Sequence, residues 1–244
     1  MTSVSSERTA ARARGPSIRS ALLFDLDGTL LNSDAGHLSA FQQVLAPHGI
    51  ALDRAEYAAN VMGASNEMIA RRYLSHLTLD QQAATLAAKE EAYRAGLGEL
   101  ELIEGAAALL DFADLRGFER AVVTNAPRLN AEVVLAALGL AERLPILVIG
   151  GELPRSKPDP LPYLTALERT GALASRSLAF EDSLSGVRSA VAAGLAVVGM
   201  TTTLDSRTLT DAGAVFAVSD FTDPRIFALI ETRMGVDEDE RTTA

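Results

Sequence analysis

Asp25 and Asp27 stand two residues apart in the stretch FDLDGTLLNSD, directly after an apolar run and before Gly28 and Thr29. In a strand, residues at that spacing point to the same side. Two carboxylates on one side repel each other, so either they lie on a wet loop or a cation sits between them. Three further stretches carry groups able to do chemistry. VVTN ends in the hydroxyl of Thr124 and the amide of Asn125, SKPDP contains the ammonium of Lys157, and FEDS contains the adjacent carboxylates of Glu181 and Asp182.

Short apolar runs rich in β-branched residues immediately precede most of these groups: ALLFD, RAVVTN, PILVIG, SLAFED and AVVGM. Amphipathic stretches separate them, namely AAALLDFADLRG, NAEVVLAALG, PLPYLTALERTG and SGVRSAVAAG. This alternation predicts right-handed βαβ units on a Rossmann-like parallel sheet covered on both faces. Ligands in such sheets bind at the carboxyl ends of the strands. That rule gathers Asp25, Thr124, Asn125, Glu181 and Asp182 along one edge.

The pattern breaks once. From Ala35 to about Leu102 only helical stretches are visible, such as GHLSAFQQVLAPHG, SNEMIARRYLSHL and LDQQAATLAAKEEAYRAGL. Roughly 65 residues is too long for an ordinary connection, so an inserted helical cap over 35–102 is expected, with the α/β core formed by 20–34 and 103–234. Leaving from the ligand edge, such an insert is placed to act as a lid, with hinges near NSDAG and GLGELELIEG.

Carboxylates that converge with no Cys or His beside them suit a hard, oxygen-preferring cation, and Mg²⁺ is the natural candidate. With Thr124, Asn125 and Lys157 on the same edge, the set forms a phosphate cradle in which cations neutralise charge and the hydroxyl and amide donate hydrogen bonds.

Composition narrows the setting. The net charge of −10 argues against nucleic acid or an anionic membrane as partner. The chain has no cysteine, which excludes disulfides and thiolate chemistry and fits a reducing compartment; a cytoplasmic location is expected. No run approaches the roughly 18 apolar residues of a membrane span. Residues 1–19, rich in Ser, Ala and Arg, lack the apolar centre of a signal peptide and read as a flexible tail, although a transit peptide has a similar composition. Residues 235–244 read as an acidic tail. A monomer or weak dimer is expected.

The ordered set DLDGTLLNSD, VVTN, KPDP and FEDSLSGVRSAVAAG resembles the four motifs of the haloacid dehalogenase superfamily. The helical insert after the first motif is similar to its β-phosphoglucomutase-like and phosphoglycolate-phosphatase-like branch. The resemblance implies roles. Asp25 would be the nucleophile that forms an aspartyl-phosphate and a metal ligand. Asp27 would be the general acid/base, binding Mg²⁺ through its main-chain carbonyl. Thr124 and Asn125 would hold the phosphoryl oxygens, Lys157 would balance the nucleophile's charge, Asp182 would complete the metal shell, and Glu181 would be a further ligand or lie behind it. In the insert, His37 stands where relatives commonly carry a His facing the site. Lys89 stands where some place a substrate-reaching Lys.

Plainer readings exist for each. Thr124-Asn125 and Asp182-Ser183 could be helix N-caps, Lys157 could be an exposed lysine, and Lys89 with Glu90 could be a solvated helix face. His48 and His76 have no partner visible in the sequence. Among reactions, the presence of Asp27 disfavours dehalogenation and phosphonate cleavage, because those relatives replace this residue. Mutases usually carry an Arg after Gly-x-Ser in the cap, where this chain has Asn66. They follow the second motif with a Ser-Lys-type sequence, where this chain has TNAPR. The expected activity is therefore Mg²⁺-dependent hydrolysis of a small phosphorylated metabolite, a sugar phosphate or phosphoglycolate-like acid. A sugar phosphomutase and a catalytically inactive metabolite-binding protein are the alternatives.

Overall fold

The computed structural model describes residues 19–235, apart from positions 63 and 65. Both expected tails lie outside the described residues, except for Gly235 and for Arg19, which opens the first strand instead of closing the tail. Arg19 pairs with Ala172 through its backbone, and its guanidinium donates to Glu119 at 2.6 Å.

Six strands form one parallel sheet in the order β3-β2-β1-β4-β5-β6. They are β1 (Arg19–Phe24), β2 (Glu119–Thr124), β3 (Ile146–Ile149), β4 (Ala172–Glu181), β5 (Ala196–Met200) and β6 (Phe216–Val218). The strands read as continuous apolar runs because both faces are covered. In β1, Leu22 and Phe24 face one hydrophobic layer, while Ala21 and Leu23 face the other. The first layer is centred on three rings. Phe24 and Phe180 stack with centroids 5.1 Å apart, and Phe221 lies 5.3 Å from Phe180.

The expected strands all form. β6 was not anticipated, because three residues at the sheet edge leave almost no periodic signal. β4 begins earlier than its apolar run: ALASR is recruited by pairing with Arg19 rather than by its own composition.

Within the expected insert the chain forms α1 (Asp34–Leu45), α2 (Arg54–Asn60), α3 (Asn66–Tyr73) and α4 (Leu79–Ala95). They enclose a separate cluster that includes Phe41, Leu45, Tyr57, Val61, Ile69 and Leu74. The insert is not wholly detached, since Ala40 of α1 and Tyr93 of α4 belong to the main core. The sequence reading missed α2, although Asp53 caps it by accepting from the Glu56 amide at 2.8 Å, a spacing that is a helix-start signature. The remaining helices are α5 (Ala106–Arg116), α6 (Arg128–Ala137), α7 (Leu161–Thr170), α8 (Leu184–Ala192), α9 (Ser206–Asp211) and α10 (Pro224–Met234). No helix among the described residues is long and apolar enough to cross a membrane.

Phe180 is fully buried between the other two rings, so truncation should leave a cavity that its packed neighbours cannot close. Phe180→Ala should lower unfolding free energy by about 3–5 kcal/mol, measured by urea denaturation. A loss below about 1 kcal/mol would mean that the aromatic layer is not what holds β1 to β4.

Candidate active site

β1, β2 and β4 end at the same edge, and each delivers its polar residue where its apolar run stops. Asp25 follows Phe24, its amide donating to the Phe180 carbonyl at 3.0 Å. Thr124 closes β2, and Glu181 closes β4 with Asp182 next in line. Lys157, on the loop between β3 and α7, reaches into this edge with all three ammonium hydrogens engaged. It donates to Asp25 Oδ1 at 2.7 Å, to Glu181 Oε1 at 2.5 Å and to the Val123 carbonyl at 2.6 Å. Lys157 is thus buried, not solvated. Burial would lower its pKa, but the two carboxylates hold it above the usual lysine range.

One ammonium does not neutralise three acids. Oxygens of Asp25, Glu181 and Asp182 lie within 4.8 Å of one another, all on buried residues. Burial and the neighbouring acids push the Asp25 carboxyl up to about 7 despite Lys157. Burial together with the charges of Asp25 and Glu181 raises Asp182 well above its ordinary value. The uncompensated negative charge and the all-oxygen donor set fit a hard divalent cation. Glu181 is the least available of the three, because it also accepts from the Tyr163 hydroxyl at 2.8 Å and the Ser183 hydroxyl at 3.2 Å. Asp25 and Asp182 are therefore the carboxylates that remain able to ligate.

Two glycines make this crowding possible. Gly28 has φ +77°, and a Cβ there would come within 2.1 Å of Asp182 Oδ2. A Cβ on Gly186 would fall 1.9 Å from the Glu181 carboxylate. The first turn of α8 can pass over Glu181 only with no side chain at that position. Ser183, rather than Asp182, caps α8 by accepting from the Gly186 amide at 3.0 Å, which leaves Asp182 to the site. Likewise Pro127, not Thr124 or Asn125, precedes α6. Thr124 accepts from the Ala126 amide at 3.0 Å, and Asn125 stands exposed at the cavity, its amide 3.5 Å from the Lys157 carbonyl.

The insert closes over this edge to leave a cavity of about 750 Å³ lined by both parts, including Asp25, Asp27, Thr124, Asn125, Lys157 and Asp182. His37 of α1 and Lys89 of α4 also line it. Lys89 is only 4% exposed, which overturns the solvated-face reading. Its ammonium lies 3.0 Å from His37 Nδ1 and 3.1 Å from Glu90 Oε2. A donor at Nδ1 makes that nitrogen the acceptor, so the ring proton is assigned to Nε2, which faces Asp27 Oδ1 at 3.5 Å. The His37 ring stacks on Tyr93 with centroids 4.0 Å apart. Burial pushes the Asp27 carboxyl up, but His37, the Ser33 hydroxyl and the Lys89 charge outweigh it, and its pKa falls below the usual value. His48 and His76 pair with each other, edge to face, and lie outside the cavity.

The sequence reading missed several partners. The Tyr163 hydroxyl sits behind Glu181, and Thr203 bonds Asp182. Thr203 stands just past the end of β5, where the strand-end rule could have found it. Tyr163 looks like any core residue of an amphipathic helix.

A family model described as haloacid dehalogenase-like hydrolase matches residues 22–200, the span that contains Asp25, Asp27, Thr124, Asn125, Lys157, Glu181 and Asp182. The chain belongs to this family. Validoxylamine A 7'-phosphate phosphatase of Streptomyces hygroscopicus subsp. limoneus is 32% identical to it over 205 residues, covering 83% of this chain and 94% of that protein. Phosphoglycolate phosphatase of Xanthomonas campestris pv. campestris is 32% identical over 177 residues, covering 72% and 80%. Among solved structures, a mutant of CbbY from Rhodobacter sphaeroides in complex with xylulose-(1,5)bisphosphate superposes with a TM-score of 0.72 at 31% identity, covering 83% of this chain and 95% of that one. In this haloacid dehalogenase-like chain the matched segment stops before β6, so the sheet edge beyond β5 lies outside the family span.

A carboxyl raised to about 7 keeps a proton in the folded state that the unfolded chain releases near 3.8, so the metal-free protein loses stability as pH rises through that interval. A divalent cation removes the cause of the shift, and it competes with fewer protons at high pH. The rise in Tm on adding saturating Mg²⁺ should therefore be larger at about pH 8 than at about pH 5.5. Equal shifts, or the reverse order, would show that the acidic trio is not where the cation acts.

Proposed function

We propose that the protein is a Mg²⁺-dependent phosphomonoesterase acting on a small phosphorylated metabolite, a sugar phosphate or phosphoglycolate-like acid, through an aspartyl-phosphate on Asp25. The observation that carries the reading is Asp25 itself, a buried carboxylate fixed by Lys157 at 2.7 Å beside two further acids. A carboxylate can attack a phosphate dianion only where cations cancel the repulsion. The phosphatases among the relatives, with the coverage given above, support the same chemistry.

In this reading the insert, 35–102, is a cap over the α/β core of 20–34 and 103–234. The carboxylates of Asp25 and Asp182 and the main-chain carbonyl of Asp27 would hold Mg²⁺. When bound, the ion neutralises charge on the transferring phosphoryl group. Thr124 and Asn125 hold the phosphoryl oxygens. One Asp25 oxygen attacks phosphorus as the bond to the leaving oxygen breaks, and Asp27 gives that oxygen its proton. Water then attacks the aspartyl-phosphate, Asp27 takes the proton back, and Asp25 returns as carboxylate with release of phosphate.

The lowered pKa of Asp27 marks the resting group as the base form. The negative charge of an incoming phosphate group supplies the upward shift that the acid step needs. His37, held by Lys89, is a positioning residue for Asp27.

Hydrolysis is preferred over phosphoryl transfer within a sugar, because a mutase must also grip a second phosphate. Arg128 is drawn off by Glu152 through two contacts of 2.7 Å, and Arg72 pairs with Glu56 at 3.3 Å. Neither lines the cavity.

Asp25→Asn should abolish phosphate release from p-nitrophenyl phosphate while leaving the circular dichroism spectrum and cooperative unfolding intact. Substantial turnover in that variant, or full activity of the parent protein after exhaustive chelation, would overturn this reading.

A further inference from the structure

The walls of the cavity beyond the phosphate cradle carry information about the rest of the substrate. On the insert side they are mostly apolar, formed by Phe41, Tyr57, Val61, Met62 and Ile69, with the Asn66 amide at the start of α3. Three charged groups join them: Asp34, Lys89 and Glu90. Lys89 offers little to a ligand. Its ammonium contacts both oxygens of Glu90, at 3.2 and 3.1 Å, and His37 at 3.0 Å, and it lies 4.8 Å from the centre of the Phe41 ring. Lys89 and Glu90 thus cancel, and among the described lining groups of the insert the carboxylate left over is that of Asp34.

Asp34 opens α1 and is half-buried. Among the described residues its side-chain hydrogen-bond partner is the Tyr57 hydroxyl, which donates to Oδ1 at 3.4 Å, a long contact that leaves most of the carboxylate's acceptor capacity unused. No arginine among the described residues lines the cavity. The cationic grip that a second phosphate or a carboxylate would need is therefore absent from the described walls, and an acid stands there instead.

Resting on the phosphatase reading above, we propose that the part of the substrate remote from its phosphate is neutral or cationic, a hydroxylated or amine-bearing carbon skeleton, and that Asp34 is the residue that selects it. An amine or hydroxyl donates to the Asp34 carboxylate while the apolar wall packs against the C–H faces of the skeleton. A second anionic group meets like charge with no arginine among the described cavity walls to grip it, so discrimination comes from repulsion as much as from attraction. Of the two substrate types considered above, this selects the sugar-phosphate type over the acid.

Three six-carbon 6-phosphates test this: glucosamine 6-phosphate, glucose 6-phosphate and 6-phosphogluconate, which carry a cationic, a neutral and an anionic remote part. Each is assayed for kcat/KM by phosphate release, and any that is not turned over is measured as a competitive inhibitor of p-nitrophenyl phosphate hydrolysis. The amino sugar should be preferred over the gluconate by roughly tenfold or more, the scale of one unit charge at a partly buried site. Asp34→Asn should compress that ratio to within about threefold, because it removes charge and keeps shape; Asp34→Ser serves if the Asn variant does not fold. The ratio in the variant separates charge from the difference between ring and open chain. If 6-phosphogluconate is handled as well as the amino sugar, or if the ratio survives Asp34→Asn, the inference falls while the phosphatase reading stands. If p-nitrophenyl phosphate itself is not hydrolysed with Mg²⁺ present, it is the phosphatase reading that fails.

Discussion

The site is organised around one ammonium. Lys157 bridges Asp25 from β1 and Glu181 from β4, and its third hydrogen goes to the β2 carbonyl of Val123, so a single side chain ties together the ends of three adjacent strands. Each of these groups would be costly to bury alone, by several kcal/mol for an unpaired ion. Held together they leave a deficit of positive charge. Asp182 enlarges that deficit, and the raised carboxyls of Asp25 and Asp182 express it. In the proposed reaction, cation binding and nucleophile activation are thus two consequences of one electrostatic imbalance, built where the apolar strands give out.

Much of the core was legible in the sequence for the same physical reason. A strand buried on both faces has to be apolar along its length, so a polar residue at its end stands out, as Asp25, Thr124 and Glu181 do. What escaped was whatever relies on tertiary approach. Gly186 looks like an ordinary helix residue until the Glu181 carboxylate is found beneath it. Tyr163 looks like core, and Thr203 like one of three threonines in a loop, until each bonds an acid of the site. β6 and the start of β4 were hidden because pairing partners, not composition, recruit them.

Lys89 is the sharpest case of a residue whose sequence context misleads. In AAKEEAYRA it has the look of a solvated helix face. The structure buries it because α4 packs on α1 and also reaches the core through α6. There Asn130 donates to Glu90 Oε2 at 2.7 Å and accepts from Arg94 at 2.6 Å. Asn130 is itself buried, and one amide serves two charged residues of α4, Glu90 and Arg94. Glu90 is thus held from the core side, Lys89 is held by Glu90 and His37, and His37 faces Asp27. The position of the insert and the state of Asp27 are linked through contiguous polar contacts.

That linkage separates two tasks within one cavity. The strand ends hold Lys157, Asp25 and Glu181 in mutual contact, and in the proposed reaction they serve the phosphoryl group. The insert contributes the opposite wall on helices with their own hydrophobic cluster, so its lining can change without disturbing the sheet. Yet α4 is tied to the core through Asn130 and α1 carries both His37 and Asp34, three residues apart on one helix. The helix that carries the group facing Asp27 is therefore the same helix that presents an acid to the cavity. A ligand that engages Asp34 bears on α1, and through α1 on His37 and Asp27. In the proposed reading, selection and proton transfer meet on one turn of one helix.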